Sequence, residues 1–260
     1  MGKDFKISII MQSYLGDYPG ARSNPEEKFI RAVNSVINQS YSSWELVIIS
    51  DGCDATKALY EEHFKQEERI VFDMIDDHAG STMQEKSSKV KYRIPGSPRA
   101  RGVDIATGDW ICYLDADDIF VKNAMEKLSL IIKKDLNTNK DLKFFINTAR
   151  VEHSSWDPSN SKNLRTDNSP VKIDSLDSTW KTVWVEGGVI CSASMIVHKK
   201  GFPSHSWANG GDYSVPRDTL FINGILSQKE YLNDLSLFRL PYYVRCHTRP
   251  GDVTESGWDY

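Results

Sequence analysis

Cysteine is scarce in this sequence. The four that occur, Cys53, Cys112, Cys191 and Cys246, lie far apart. No C-x-x-C or Cys/His spacing joins them, which argues against a structural zinc site and suits a reducing compartment. Cys112 and Cys191 sit inside apolar runs, where a thiol acts as a small core hydrophobe. Long apolar runs are also missing. None approaches the ~20 residues of a membrane-spanning helix. The apolar run after Lys6 is short and lacks a small-residue cleavage site, so no secretory leader is predicted. The expectation is a cytoplasmic protein, with peripheral membrane association left open. Nor is there an excess of basic charge: 32 Lys and Arg stand against 36 Asp and Glu, a net charge of -4. A dedicated nucleic-acid binder would carry a basic footprint. Internal repeats and low-complexity segments are absent.

What is present is ordinary globular composition, with 40% apolar and 26% charged residues in 260. That length suits one large domain with one core. Strand-like and helix-like segments alternate through the first half. ISIIM at 7–11 is a short apolar β-type run. Asn24-Pro25-Glu26-Glu27 reads as a helix start, with Asn24 as cap, Pro25 at the first helical position and two acids facing the dipole. Phe29, Ile30, Val33, Val36 and Ile37 follow at helical spacing. ELVIIS at 45–50 is a second strand, ended by Asp51-Gly52. A weaker helix spans 55–65, and RIVFDMI at 69–75 is a third strand. Ser97-Pro98 opens another helix, which Gly108 is suited to cap. WICYL at 110–114 is a fourth strand, and 122–135 is helical with Met125, Leu128, Ile131 and Ile132 on one face.

This alternation predicts an α/β fold: a mostly parallel, Rossmann-like sheet covered by helices on both faces. Ligands bind such sheets beyond the carboxyl ends of the strands. Gln12-Ser13-Tyr14, Asp51 and Asp115-Ala116-Asp117-Asp118 all fall at such ends. The second half is less regular. Residues 143–151 and 189–198 read as strands, 154–180 as a long polar surface loop, 203–216 as a loop, and a helix is expected from about Pro216 with Phe221 buried. Residues 76–97 are Gly, Ser and Lys rich and form a connection longer than usual, of the kind that is a lid or a disordered segment.

Asp115, Asp117 and Asp118 crowd three carboxylates after a buried strand. Such a cluster repels itself unless a cation or hydrogen-bonding groups sit among it. A hard divalent ion takes oxygen ligands, often one or two carboxylates with substrate phosphates completing the shell. A solvated turn or a helix cap would use the same residues.

The order of motifs resembles the family 2 glycosyltransferases. SIIMQSY, SVINQSYSSWELVIISDG and PRARGVDIATGDWICYLDADD stand where that family has its first strand and Tyr turn, its helix and second strand, and its Arg helix before D-x-D-D. The likeness covers roughly residues 6–135 in order and spacing. It implies a GT-A fold in a single domain over 1–260, with a nucleotide-sugar-binding half at 1–120 and an acceptor half at 121–260. It implies a nucleotide-sugar site of Gln12, Tyr14, Asp51, Arg99, Asp115 and Ala116. Tyr14 would stack on the base, Asp51 would accept from it, Arg99 would contact the diphosphate or order the site, and Asp115 would contact the ribose. Asp117 would ligate Mn²⁺ or Mg²⁺, with Asp118 supporting the loop. Ala100 departs from the family's usual Asn.

The same resemblance places the catalytic base well downstream. Asp218, in GGDYSVPRDTLFINGIL, matches best, with Asp212 as the alternative; either would take a proton from an acceptor hydroxyl. His247, in YYVRCHTRPGDVT, is a candidate metal or phosphate ligand, and Arg245 and Arg249 are candidate cations for the leaving diphosphate. Trp180, Trp184 and Glu186-Gly187-Gly188 line an acceptor pocket or belong to the core. The implied reaction is inverting transfer of a sugar from a nucleotide-sugar donor, UDP-linked, to a hydroxyl on a glycan, lipid-linked, protein or other acceptor. A sugar-1-phosphate nucleotidyltransferase and a non-catalytic nucleotide-sugar-binding module are the competing readings. QSYLGDYPGAR is a poor version of the Gly-rich phosphate loop that the first of these would need.

Overall fold

The computed structural model describes residues 5–16, 24–75, 84–86, 90–92, 97–147, 151–152, 173–177, 182–185, 188–189, 196–201, 221, 235–238 and 243–245. The first half runs β1 (Ile7–Ser13), α1 (Pro25–Ile37), β2 (Trp44–Ser50), α2 (Asp54–His63), β3 (Ile70–Met74), β4 (Gln84–Lys86), β5 (Val90–Tyr92), α3 (Ser97–Ile105) and β6 (Trp110–Tyr113). The rest runs β7 (Ile119–Phe120), α4 (Ala124–Thr138), β8 (Phe144–Asn147), β9 (Val151–Glu152), β10 (Ile173–Asp177), β11 (Thr182–Val185), β12 (Gly188–Val189), β13 (Ile196–Lys199), β14 (Leu235–Phe238) and β15 (Tyr243–Arg245).

Seven strands form the central sheet in the order β14-β8-β13-β6-β1-β2-β3. Only β13 runs against its neighbours, pairing antiparallel with β6 and β8; the other pairs are parallel. The chain steps outward from β1 to β2 and β3, then returns to lay β6 on the other side of β1. That reversal opens a crevice beyond the carboxyl ends of β1 and β6, where open α/β sheets bind ligands.

Helices cover both faces. Strands buried on two sides read as continuous apolar runs, and every residue of β2 is buried. On one face α3 presses against β1 and β2 so closely that a Cβ on Gly102 would lie 2.5 Å from Ile10 Cγ2. On the other face, Ser13 Oγ of β1 meets Thr56 Oγ1 of α2 at 3.1 Å. Phe29 of α1 packs edge-on against Phe64, just past α2, with ring centroids 6.2 Å apart. At the amino-terminal foot of the sheet, Trp110 lies edge-on to Phe5 and Phe145.

Glu45 is buried at that same foot. Its carboxylate accepts from Lys6 Nζ at 2.6 Å, Ser8 Oγ at 2.5 Å, Thr107 Oγ1 at 2.6 Å, Thr107 N at 2.5 Å and Gly108 N at 3.0 Å. Burial by itself would raise its pKa. The bonds from Lys6, Ser8 and Thr107 outweigh that and hold it down at about 2, because hydrogen bonds to the charged form favour it.

Several expectations change. Asn24 does sit at the start of α1, but at φ 53 and with no side-chain bond to the helix backbone; its amide donates to Glu27 Oε2 at 3.2 Å instead. Gly108 is not a helix cap, since α3 ends at Ile105. It is required by close approach: a Cβ there would lie 2.5 Å from Ser8 Oγ and 2.8 Å from Lys6 O. The polar stretch at 154–180 contains a strand, β10, paired antiparallel with β11. Its Ile-Asp-Ser-Leu-Asp sequence alternates weakly, which hid it. The run expected at 143–151 is split into β8 and β9, and β9 leaves the main sheet to pair with β15. Within 76–97, β4 and β5 pair as a hairpin.

Candidate active site

The two turns at the carboxyl ends of β1 and β2 are fastened to each other. Ser13 stands opposite Ser50 in the sheet, and Asp51 N donates to Ser13 O at 2.9 Å. Ser50 Oγ accepts from Cys53 N at 3.0 Å and donates to Cys53 O at 2.9 Å, closing the turn. Gly52 takes φ 60 at its tip, a left-handed conformation that glycine adopts at no steric cost. Leu15 N then reaches Cys53 Sγ at 3.4 Å. Asp51 is buried between these strands. The Tyr14 ring folds over Gly16, where a Cβ would lie 2.6 Å from the ring.

The acidic turn lies on the other side of β1. Ile10 pairs with Tyr113, so two residues further along each chain stand Gln12 and Asp115. Asp118 N donates to Asp115 O at 3.0 Å, closing a turn over Asp115–Asp118. Arg99, on the first turn of α3, donates from Nη2 to Asp115 Oδ1 at 2.9 Å. Its side chain is only 5% exposed, against 28% for Asp115. The guanidinium supplies part of the positive charge that the clustered carboxylates need. Asp118 is fully buried at 1% exposure, while Asp115, Ala116 and Asp117 are half-buried.

Of the residues expected here, Arg99 and Asp115 are in direct contact. Gln12, Tyr14, Asp51, Ala116 and Asp117 share the same end of the sheet. The Gln12 amide oxygen is buried and meets no donor among the described residues. Asp218, Asp212, His247, Arg249, Trp180, Glu186 and Gly187 lie outside the described residues. Arg245 belongs to β15 and Trp184 to β11. His63 is exposed at the end of α2, 3.8 Å from Glu62.

One contact of the acidic turn had no counterpart in the sequence reading. Arg31 of α1, itself buried, donates from Nη2 to Asp117 O at 3.0 Å. Its signal was a charged residue on the helix face that also carries Ala32, Ser35 and Val36.

For a divalent cation the available donors are hard oxygens. The Asp117 carboxylate suits Mg²⁺ or Mn²⁺ when a diphosphate completes the shell. Among the described residues no group of three or more His, Cys, Asp or Glu could hold a metal alone. The donor set therefore fits a cation shared with substrate.

Residues 91–169 match the sequence profile described as Glycosyl transferase family 2. Over that segment the chain is similar to the family 2 glycosyltransferases. One relative is the UDP-Glc:alpha-D-GlcNAc-diphosphoundecaprenol beta-1,3-glucosyltransferase WfgD of Escherichia coli, 26% identical over 135 residues, which are 52% of this chain and 44% of that protein. Another is the amylovoran biosynthesis glycosyltransferase AmsB of Erwinia amylovora, 28% identical over 144 residues, 55% of this chain and 41% of that protein. The chain thus spans less than half the length of the curated relatives it matches. Among solved structures, S. aureus TarS in complex with UDP-GlcNAc superposes with a TM-score of 0.58 at 14% identity, over 98% of this chain and 62% of that one. The mannosyltransferase PcManGT from Pyrobaculum calidifontis, in complex with GDP-Man and Mn²⁺, gives 0.55 at 12% identity, over 96% and 59%. The fold is GT-A, a largely parallel α/β sheet, as the motif order implied. No helix among the described residues is long and apolar enough to cross a membrane.

Proposed function

We propose that this chain transfers a sugar, with inversion, from a UDP-linked donor to an acceptor hydroxyl in a reaction that needs Mn²⁺ or Mg²⁺. The observation that carries the reading is the Arg99–Asp115 pair at the crevice edge. It holds a carboxylate half-exposed beside Asp117 while the buried guanidinium offsets the charge. Asp117 would hold a Mn²⁺ or Mg²⁺ ion, which when bound supplies positive charge to offset the leaving nucleoside diphosphate. Asp115, with one oxygen committed to Arg99, keeps the other for a ribose hydroxyl. Gln12, Tyr14 and Asp51 serve the base, and the undonated Gln12 oxygen fits an N–H or O–H of the nucleotide. Burying an acceptor without a partner costs about 1–3 kcal/mol, so a ligand that donates to it recovers that cost.

UDP is favoured because UDP-Glc stands in the name of WfgD and UDP-GlcNAc in the TarS complex. Mn²⁺ in the PcManGT complex is consistent with a divalent ion here. Asp218, or Asp212 in its place, is assigned as the base and His247 as an additional metal ligand, on motif position. The acceptor is a hydroxyl on a glycan or lipid-linked glycan, the class that the WfgD name carries. Residues 1–120 form the donor half and 121–260 the acceptor half of one domain.

The test is a panel of UDP- and GDP-sugars offered with Mn²⁺, Mg²⁺ or EDTA, following nucleoside diphosphate release. A UDP-sugar is expected to turn over only with metal, and Asp117→Ala to abolish turnover. Product anomeric configuration by NMR decides inversion. Donor binding without turnover would favour a non-catalytic module, and pyrophosphate release from a nucleoside triphosphate would favour a nucleotidyltransferase.

A further inference from the structure

α1 carries two polar side chains four residues apart, Arg31 and Ser35; Gln39 follows just past the helix's end at Ile37, and all three are buried. Helical residues at this spacing stack along one face. Each bonds to main-chain atoms of the segment that follows the acidic turn's first residues. Arg31 Nη2 donates to Asp117 O at 3.0 Å. Ser35 Oγ accepts from Phe120 N at 3.1 Å and donates to Ala32 O at 2.7 Å. Gln39 Nε2 donates to Val121 O at 3.0 Å, and its Oε1 accepts from Met125 N at 3.0 Å. Met125 lies in the first turn of α4, where backbone N–H groups have no intrahelical partner. Asn123, at the start of that helix, makes no side-chain cap bond, so Gln39 supplies an acceptor from the turn that follows α1.

We infer that Arg31, Ser35 and Gln39 are positioning residues: α1 and the turn after it fix the path of residues 117–125 and thereby set where the Asp117 carboxylate can meet a metal–diphosphate. The inference rests on the proposed donor and metal site. Arg31 gives the inference a sign. A guanidinium near the turn repels a divalent cation through space, so its removal by electrostatics alone would tighten metal binding. If Arg31 instead holds the Asp117 peptide, its removal loosens metal binding.

The experiment is calorimetric titration of the full chain with UDP and with GDP, each in Mn²⁺ and in EDTA. The readout is the ratio of Kd in EDTA to Kd in Mn²⁺, which general loss of stability does not move. In Arg31→Met this ratio is expected to fall about tenfold, the ordinary loss for one charge-assisted hydrogen bond. Arg31→Lys keeps a donor and is expected to recover most of it. Glu45→Gln, at the opposite end of the sheet, is the stability control: it lowers the melting temperature and leaves the ratio unchanged. A ratio that stays level or rises in Arg31→Met overturns the inference. Should Arg31→Met fail to fold, Ser35→Ala carries the same test, with a several-fold fall expected and an unchanged ratio fatal. If the wild-type chain binds neither nucleotide with Mn²⁺, the functional reading fails first and the inference falls with it. Wild-type binding with an unmoved variant ratio sinks the inference alone.

Discussion

Arg99 is nearly sealed from solvent, yet its partner Asp115 is about a quarter exposed, and a 2.9 Å hydrogen bond joins them. The asymmetry means that the two halves of the pair respond differently to substitution. Asp115→Asn takes one counter-charge from a buried guanidinium, at a cost of about 1–3 kcal/mol. Arg99→Met removes the buried charge and leaves Asp115 to solvent, so its stability cost is smaller. Its functional cost is larger than its stability cost, because Asp115 loses its anchor. Thermal melts of both variants, with donor kcat/KM measured alongside, check this. Equal melting temperatures would contradict the burial asymmetry.

Glu45 gives a pH signature. Its folded pKa is about 2 against 4.5 for the free side chain. A depressed carboxyl stabilises the fold fully above pH 4.5, and that stabilisation is lost as pH falls from 4.5 toward 2. The shift corresponds to about 3 kcal/mol. Denaturant titrations of wild type and Glu45→Gln at pH 7 and pH 3 are expected to show the gap between them narrowing at the lower pH. A constant gap would mean that the carboxylate's charge contributes nothing.

Gly16 is expected to act through Tyr14. Any Cβ at this position meets the Tyr14 ring at 2.6 Å, so Gly16→Val swings the ring away. The predicted outcome is a several-fold rise in donor KM with the melting temperature shifted little, since surface substitutions usually stay within about 0.5 kcal/mol. Nucleotide titration by fluorescence or calorimetry reads it.

Gln39→Leu removes the bonds to Ser35 O, Val121 O and Met125 N together. A loss of roughly 2–4 kcal/mol is expected, because buried main-chain groups are left unsatisfied. Chemical denaturation measures it. A loss below about 1 kcal/mol would show that these groups find other partners.

The fold of the first half was legible because its physics is local. ISIIM, ELVIIS and WICYL are continuous apolar runs, as strands buried on both faces must be, and α1 carries its apolar residues at helical spacing. The site was legible in part for the same reason: polar residues at strand ends are close in sequence to the strands that aim them. Arg31 was not, because an arginine on a helix ordinarily reads as solvated, and only the packing of α1 against β7 buries it. Gly108 was misread because a glycine beyond a helix looks like a cap, whereas the close approach of Ser8 comes from a residue a hundred positions earlier. The strand β10 hid in a polar stretch whose pairing with β11 no periodicity announced. Asp218, Asp212 and His247 rest on motif position alone.

The reversed strand β13 has a consequence for biosynthesis. It fills the slot between β6 and β8, so β6, whose end bears the acidic turn, has an open flank until residues 196–199 have left the ribosome. An unpaired strand edge is a template for wrong partners. During synthesis the nascent chain must therefore keep that edge from other chains while residues 114–195 are made, and a polypeptide cut short before Ile196 would expose it permanently. The part of the sheet that carries the early motifs reaches its finished form only when a late segment closes it.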